Sequence, residues 1–180
     1  PKSLYQPLIA ALVRMQRSTR SLSFLILSTI STFATRVPHL LQAYIQDFFI
    51  IQTDPIYIRQ LKLEIMNALI LTPETANFLF KEVISLCRLP NKDIVCTAIQ
   101  LLGKICTIVP SLCGQTLRVL FALLSSPHDG VTAHVAPLIR LLLRRHVSDI
   151  PLIVLKRLAF ILVTKLEEPL SRATIIWIIG

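Results

Sequence analysis

Prolines set the metre of this chain. Pro is tolerated in the first turn of a helix and disfavoured inside one, because its ring lacks an N–H and clashes with the preceding turn. Pro38, Pro55, Pro73, Pro90, Pro110, Pro127, Pro151 and Pro169 follow one another at intervals of 17 to 24 residues. Each interval has room for one helix and a short turn, so two intervals make a helix pair. Cut at equivalent places, the sequence falls into units 18–53, 54–90, 91–127 and 128–167, with another starting at 168. Repeats of this size are the mark of an α-solenoid. The expected fold is all-α, with HEAT/armadillo-like stacked antiparallel helix pairs running over 1–180 as one segment. Neither end carries the polar outer face of a capping unit, so the segment is expected to belong to a longer trunk.

The residues inside the units favour helices. Over 92–108, Ile94, Ala98, Leu101, Ile105 and Ile108 recur at spacings of three or four, widened by Val95, Ile99, Leu102 and Cys106. Asp93, Thr97, Gln100, Lys104 and Thr107 take the opposite face. Helix starts are marked by Asp54 before Pro55, by Asn91 ahead of Asp93, by Asp129, and by Glu167 and Glu168 before Pro169. The reading predicts helices over 3–16, 19–36, 38–50, 55–71, 74–88, 92–108, 110–125, 129–146 and 151–166, with a tenth from 169. Gly130 is read as part of a helix start, and Pro137 is expected to kink or break its helix.

Composition excludes several classes. With 53% apolar residues the chain is too hydrophobic for disorder. The longest run free of charged residues, 21–35, is fifteen residues, too short for a bilayer span. No secretory leader is expected, and Cys87, Cys96, Cys106 and Cys113 lack a C-x-x-C spacing, which suits reduced, buried thiols in a cytosolic protein. A soluble, cytoplasmic chain is expected.

Catalytic constellations are absent from the sequence, and no enzyme is expected. Four glycines, at 103, 114, 130 and 180, cannot write a dinucleotide fingerprint or a P-loop. Glu167 and Glu168 are adjacent and point apart, which suits a helix start better than acid–base work. His128, His134 and His146 have no zinc-type spacing to Cys106 or Cys113. No cofactor and no metal is expected. Phe48, Phe49 and Trp177 lie in apolar helical runs and are expected in the core.

The net charge of +9 invites an acidic partner. Arg140 and Arg144 lie one turn apart with Arg145 beside them, and Lys156 and Arg157 come from the following helix, which antiparallel pairing would bring near. A second set, Arg14, Arg17 and Arg20, sits near the start. These residues are either solvated outer faces or a patch for an acidic protein surface or anionic lipid. Nucleic acid is not expected, because aromatic platforms do not interleave with the basic residues and no groove-reading motif is present.

The run Asp47-Phe48-Phe49-Ile50-Ile51-Gln52-Thr53-Asp54-Pro55, with Ile58-Arg59-Gln60-Leu61-Lys62-Leu63-Glu64-Ile65, resembles the trunk of β-adaptins, the large β subunits of heterotetrameric adaptor-protein coat complexes. Lys92-Asp93 with Ala98-Ile99-Gln100 and Gly103-Lys104 keeps the same register. So does Ser171-Arg172-Ala173-Thr174-Ile175-Ile176-Trp177-Ile178-Ile179-Gly180, which is similar to the family's R-A-x-x-x-W-x-x-G helix. Ile9-Ala10-Ala11-Leu12-Val13-Arg14 and Phe48-Phe49 lean towards the β subunit of the third adaptor complex. The resemblance implies a non-enzymatic scaffold in intracellular protein transport and vesicle-mediated cargo sorting. Its implied partners are the other large, the medium and the small adaptor subunits, with a small GTPase and an anionic membrane surface as further candidates. Its implied place is peripheral, on Golgi or endosomal membranes or coated vesicles. The competing class is another HEAT/armadillo scaffold, such as a nuclear transport receptor or peptide-binding signalling adaptor. That class would show a ladder of exposed Asn or Trp, whereas Asn67, Asn77 and Asn91 differ in phase and Trp177 stands alone.

Overall fold

The stripe read over 92–108 becomes the buried face of a helix. Helix α5 spans Lys92–Ile108, and Ile94, Val95, Ala98, Ile99, Leu101, Leu102, Ile105 and Cys106 are all buried along it. Asn91 caps its start, its side-chain oxygen accepting from the Ile94 N–H at 3.1 Å, and Asp93 adds negative charge to the first turn. This is a computed structural model describing residues 2–18, 22–124 and 131–145, together with Lys156, Phe160, Pro169, Arg172, Ala173, Ile176 and Trp177.

Preceding α5 are α1 (Lys2–Ser18), α2 (Ser23–Arg36), α3 (Ile56–Leu69) and α4 (Pro73–Leu86); α6 (Cys113–Leu124) and α7 (Thr132–Arg145) follow. Among the described residues every regular element is helical. The chain divides into two compact units, Pro1–Glu82 and Val83–Gly180. In the first, α2 packs against α1 and α3. Ile26, Leu27 and Ile30 of α2 and Leu63, Ile65, Met66 and Leu69 of α3 are buried in its core. In the second, α7 packs on α5 and α6, and one core joins Val95, Ile99 and Cys106 to Leu120, Leu124, Val135, Ile139 and Leu142.

Three local expectations meet a different outcome. The helix read over 38–50 is instead two 3-10 segments, Pro38–Leu40 and Gln42–Phe48, with Tyr44 at φ −112°, ψ 15°. Leu41, Ile45 and Phe48 are buried as their spacing demands. Apolar residues at intervals of three and four serve a 3-10 segment as well as an α-helix over so short a stretch. The second departure is from the break allowed for at Pro137: α7 runs through it from Thr132 to Arg145. Burial of Val135, Ala136, Ile139, Leu142 and Leu143 on either side outweighs one lost backbone hydrogen bond. The third is partial and concerns Asp54: α3 starts where Asp54 and Pro55 mark it, but Pro55 holds the cap position and no side-chain bond closes it. The expected starts at Asp129, Gly130 and Glu167–Glu168, and the helix over 151–166 apart from Lys156 and Phe160, lie outside the described residues.

Candidate functional site

On α7, Arg140 and Arg144 follow each other at i and i+4, so their side chains rise from one face. Both are exposed. The Arg140 guanidinium carbon lies 4.5 Å from the centre of the Trp177 ring and that of Arg144 lies 5.9 Å away. Both distances fall within cation–π range, a contact that contributes about 0.5–1 kcal/mol at an exposed site. Trp177 is therefore not the core residue expected from its apolar run: 49% of it is exposed, and it serves as the platform for two arginines. Helix periodicity places Trp177 in an apolar stretch but does not reveal which neighbour covers its ring. The signal available was the arginine pair one turn apart on α7. Lys156 is exposed. Arg157 and the side chain of Arg145 lie outside the described residues, as do Arg20 and the side chain of Arg17, whereas Arg14 is exposed.

Sequence reasoning missed a second arrangement, in the first unit. Lys62 stands on the apolar stripe of α3, between Ile58 and Ile65, and is only 2% exposed. Its ammonium meets Asp54 Oδ2 at 2.6 Å and donates to the Phe49 carbonyl at 3.0 Å. Asp54 Oδ2 also accepts from the Ile51 N–H. Arg59 closes the same loop from the side, donating to the carbonyls of Asp54 at 2.7 Å and Gln52 at 2.6 Å. A lysine on a buried stripe was the available signal, since an ammonium goes inside only with a partner. The clamped loop forms a wall of a cleft of about 590 Å³, together with Phe24, Leu27, Phe49, Tyr57 and Gln16. Phe24 meets Tyr57 edge-on at 5.8 Å. The buried Gln16 Oε1 has no hydrogen-bond partner.

The thiols are poor starting points for nucleophilic chemistry. Burial pushes Cys87 up to about 12, and burial likewise pushes Cys106 up to about 12. The Cys106 thiol donates to Thr116 Oγ1 at 3.1 Å. All four cysteines are free. Among the described residues no three His, Cys, Asp or Glu side chains gather as a metal site would require; His128 and His146 lie outside them.

Paired helices packed on one another, with charged and aromatic surfaces, define a HEAT/armadillo-like helical-repeat protein. The chain belongs to the family described as Adaptin N terminal region, which matches residues 1–180. It is 29% identical over 180 residues to AP-3 complex subunit beta-1 of Canis lupus familiaris, covering 100% of this chain and 16% of that protein. AP-3 complex subunit beta-2 of Mus musculus is 30% identical over the same 180 residues, again with 100% and 16% covered. AP-3 complex subunit beta of Dictyostelium discoideum is 31% identical over 139 residues, 77% of this chain and 12% of that protein. The chain spans about 16% of the length of the first of these relatives. A structure described as a homology model of the full-length AP-3 complex in an intermediate open conformation matches with a TM-score of 0.68 at 21% identity, covering 96% of this chain and 28% of that one. That likeness shows the fold to be the all-α solenoid expected. The resemblance to β-adaptins, and to those of the third adaptor complex in particular, is borne out.

Proposed function

We propose that the chain is part of the non-enzymatic trunk of a vesicle coat adaptor subunit, acting in intracellular protein transport and cargo sorting. The observation that carries this reading is the family match over the whole of 1–180, joined to relatives that are β subunits of the AP-3 complex. In this reading the units 18–53, 54–90, 91–127 and 128–167 are successive repeats of one trunk segment, and their apolar faces bury against neighbours. The trunk partners the other large subunit, the medium subunit and the small subunit, with a small GTPase recruiting the assembly. It acts peripherally, at the cytoplasmic face of Golgi or endosomal membranes or on coated vesicles. Among the described residues no helix is long and apolar enough to cross a membrane, which suits attachment through partners.

Affinity capture of the tagged chain from cell lysate, with its stoichiometric partners identified by mass spectrometry, tests this function. One other large, one medium and one small adaptor subunit recovered together is the expected result. Recovery of a transport GTPase with cargo bearing a basic targeting peptide, and no adaptor subunits, would keep the solenoid and overturn the function.

A further inference from the structure

Arg140 and Arg144 carry two positive charges on the exposed face of one helix turn, and the sequence of α7 contains no acidic residue. Among the described residues neither guanidinium has an ion pair; each has the Trp177 ring instead. A guanidinium held over a ring by a cation–π contact still has N–H donors to offer a carboxylate, and the contact limits where the group can sit. Two such forks side by side are prepared for carboxylates, which Arg binds bidentately in the plane of the fork. Exposed apolar surface adjoins them in sequence: Leu141 lies between the arginines and is 44% exposed, and Ile176 beside Trp177 is 56% exposed.

We propose that Arg140, Arg144 and Trp177 form the centre of a protein-docking surface that receives an acidic segment of a partner, its Asp or Glu carboxylates seated on the two guanidiniums and a neighbouring apolar side chain against the indole. Tryptophan and arginine are the residues that most often dominate interface energetics, and here they are already assembled before a partner arrives. A membrane surface is the less suitable occupant. Lipid headgroups recruit long, mobile basic side chains in larger clusters, through charge that does not depend on the plane of a fork. The docking surface does not rest on the adaptor reading; it would hold for any helical-repeat scaffold.

Trp177 is the sole tryptophan of the sequence, so its fluorescence reports directly on the site. The test titrates the 180-residue chain with a synthetic peptide of alternating Glu and Leu, and in parallel with phosphatidylserine vesicles. The expected result is a saturable fluorescence change with the peptide below about 1 mM. Binding should weaken roughly tenfold or more in the Arg140→Gln/Arg144→Gln double variant and by a smaller factor in the Arg140→Lys/Arg144→Lys variant, which keeps charge but loses the fork. Trp177→Leu, followed by anisotropy of a labelled peptide, should also lose affinity. Far-UV circular dichroism confirms that each variant is folded. Unchanged peptide affinity in the Gln variant, equal affinity in the Lys variant, or a response to vesicles without one to the peptide would overturn the proposal.

Discussion

Asp54 shows how one side chain can hold a loop, a helix and a buried charge at once. It accepts from Lys62 and from the Ile51 N–H, and Lys62 is 2% exposed. Asp54→Ala would leave the Lys62 ammonium buried with the Phe49 carbonyl alone. Breaking a buried pair from one side costs about 3 kcal/mol, so the urea midpoint of the variant should fall by a corresponding amount. A midpoint equal to that of the parent would show that the pair contributes nothing. Glu82 gives the opposite case. Burial raises its carboxyl above the ordinary value of 4.5, and the hydrogen bond from the Ile50 backbone only partly opposes this. A raised carboxyl favours the folded state when protonated, so its contribution is complete below pH 4.5 and is lost as pH rises through the folded value. Glu82→Gln should therefore resist urea better than the parent at neutral pH, with the advantage shrinking as pH falls towards 4. A constant difference across that range would refute the titration.

At the scale of the element, helix contacts are set by volume as much as by pattern. Gly103 lies inside α5, where a Cβ would sit 3.0 Å from Leu138 Cδ1 of α7 and 3.7 Å from its Cδ2. Ala at this position gains up to about 1 kcal/mol of helix propensity and asks the end of one leucine to shift by a few tenths of an ångström, so Gly103→Ala should stay close to the parent. Gly103→Val adds two methyl groups to the same contact and should cost about 1–3 kcal/mol through overpacking, read as a lowered thermal midpoint. A Val variant as stable as the Ala variant would mean that the helices separate freely there. The face of α5 was legible in the sequence, because seventeen residues of unbroken period fix which side is buried. The 38–50 stretch was legible only as to burial: Leu41, Ile45 and Phe48 are inside, but its hydrogen bonds run from Leu41 N–H to Pro38 and from Tyr44 N–H to Leu41, a choice the spacing leaves open. The continuation of α7 through Pro137 was hidden for a related reason, since propensity is local and the burial that overrules it comes from other helices.

Across the whole molecule, the all-α fold class was the most legible feature and the placement of single side chains the least. Proline spacing sets helix lengths and turns, which is enough to specify helices packed on helices. The partner of Lys62 and the two arginines over Trp177 depend on residues 8 to 37 positions away, and no local pattern encodes such pairs. The same architecture leaves apolar residues outside. Leu25 is 65% exposed, Ile56 55%, Phe24 54% and Tyr57 53%, all within the first unit. A repeat protein buries such side chains against neighbours, and without them exposed apolar surface drives association. The 180-residue chain alone should therefore self-associate as its concentration rises, seen as a growing weight-average mass in light scattering. Leu25→Glu with Ile56→Glu places charge where no core packing is lost, so the variant should keep its helical circular dichroism and its thermal midpoint to within a few degrees, and should scatter as a monomer over the same range. If parent and variant are both monomeric, these residues are ordinary surface. If both associate equally, the apolar positions on α2 and α3 are not what brings the chains together.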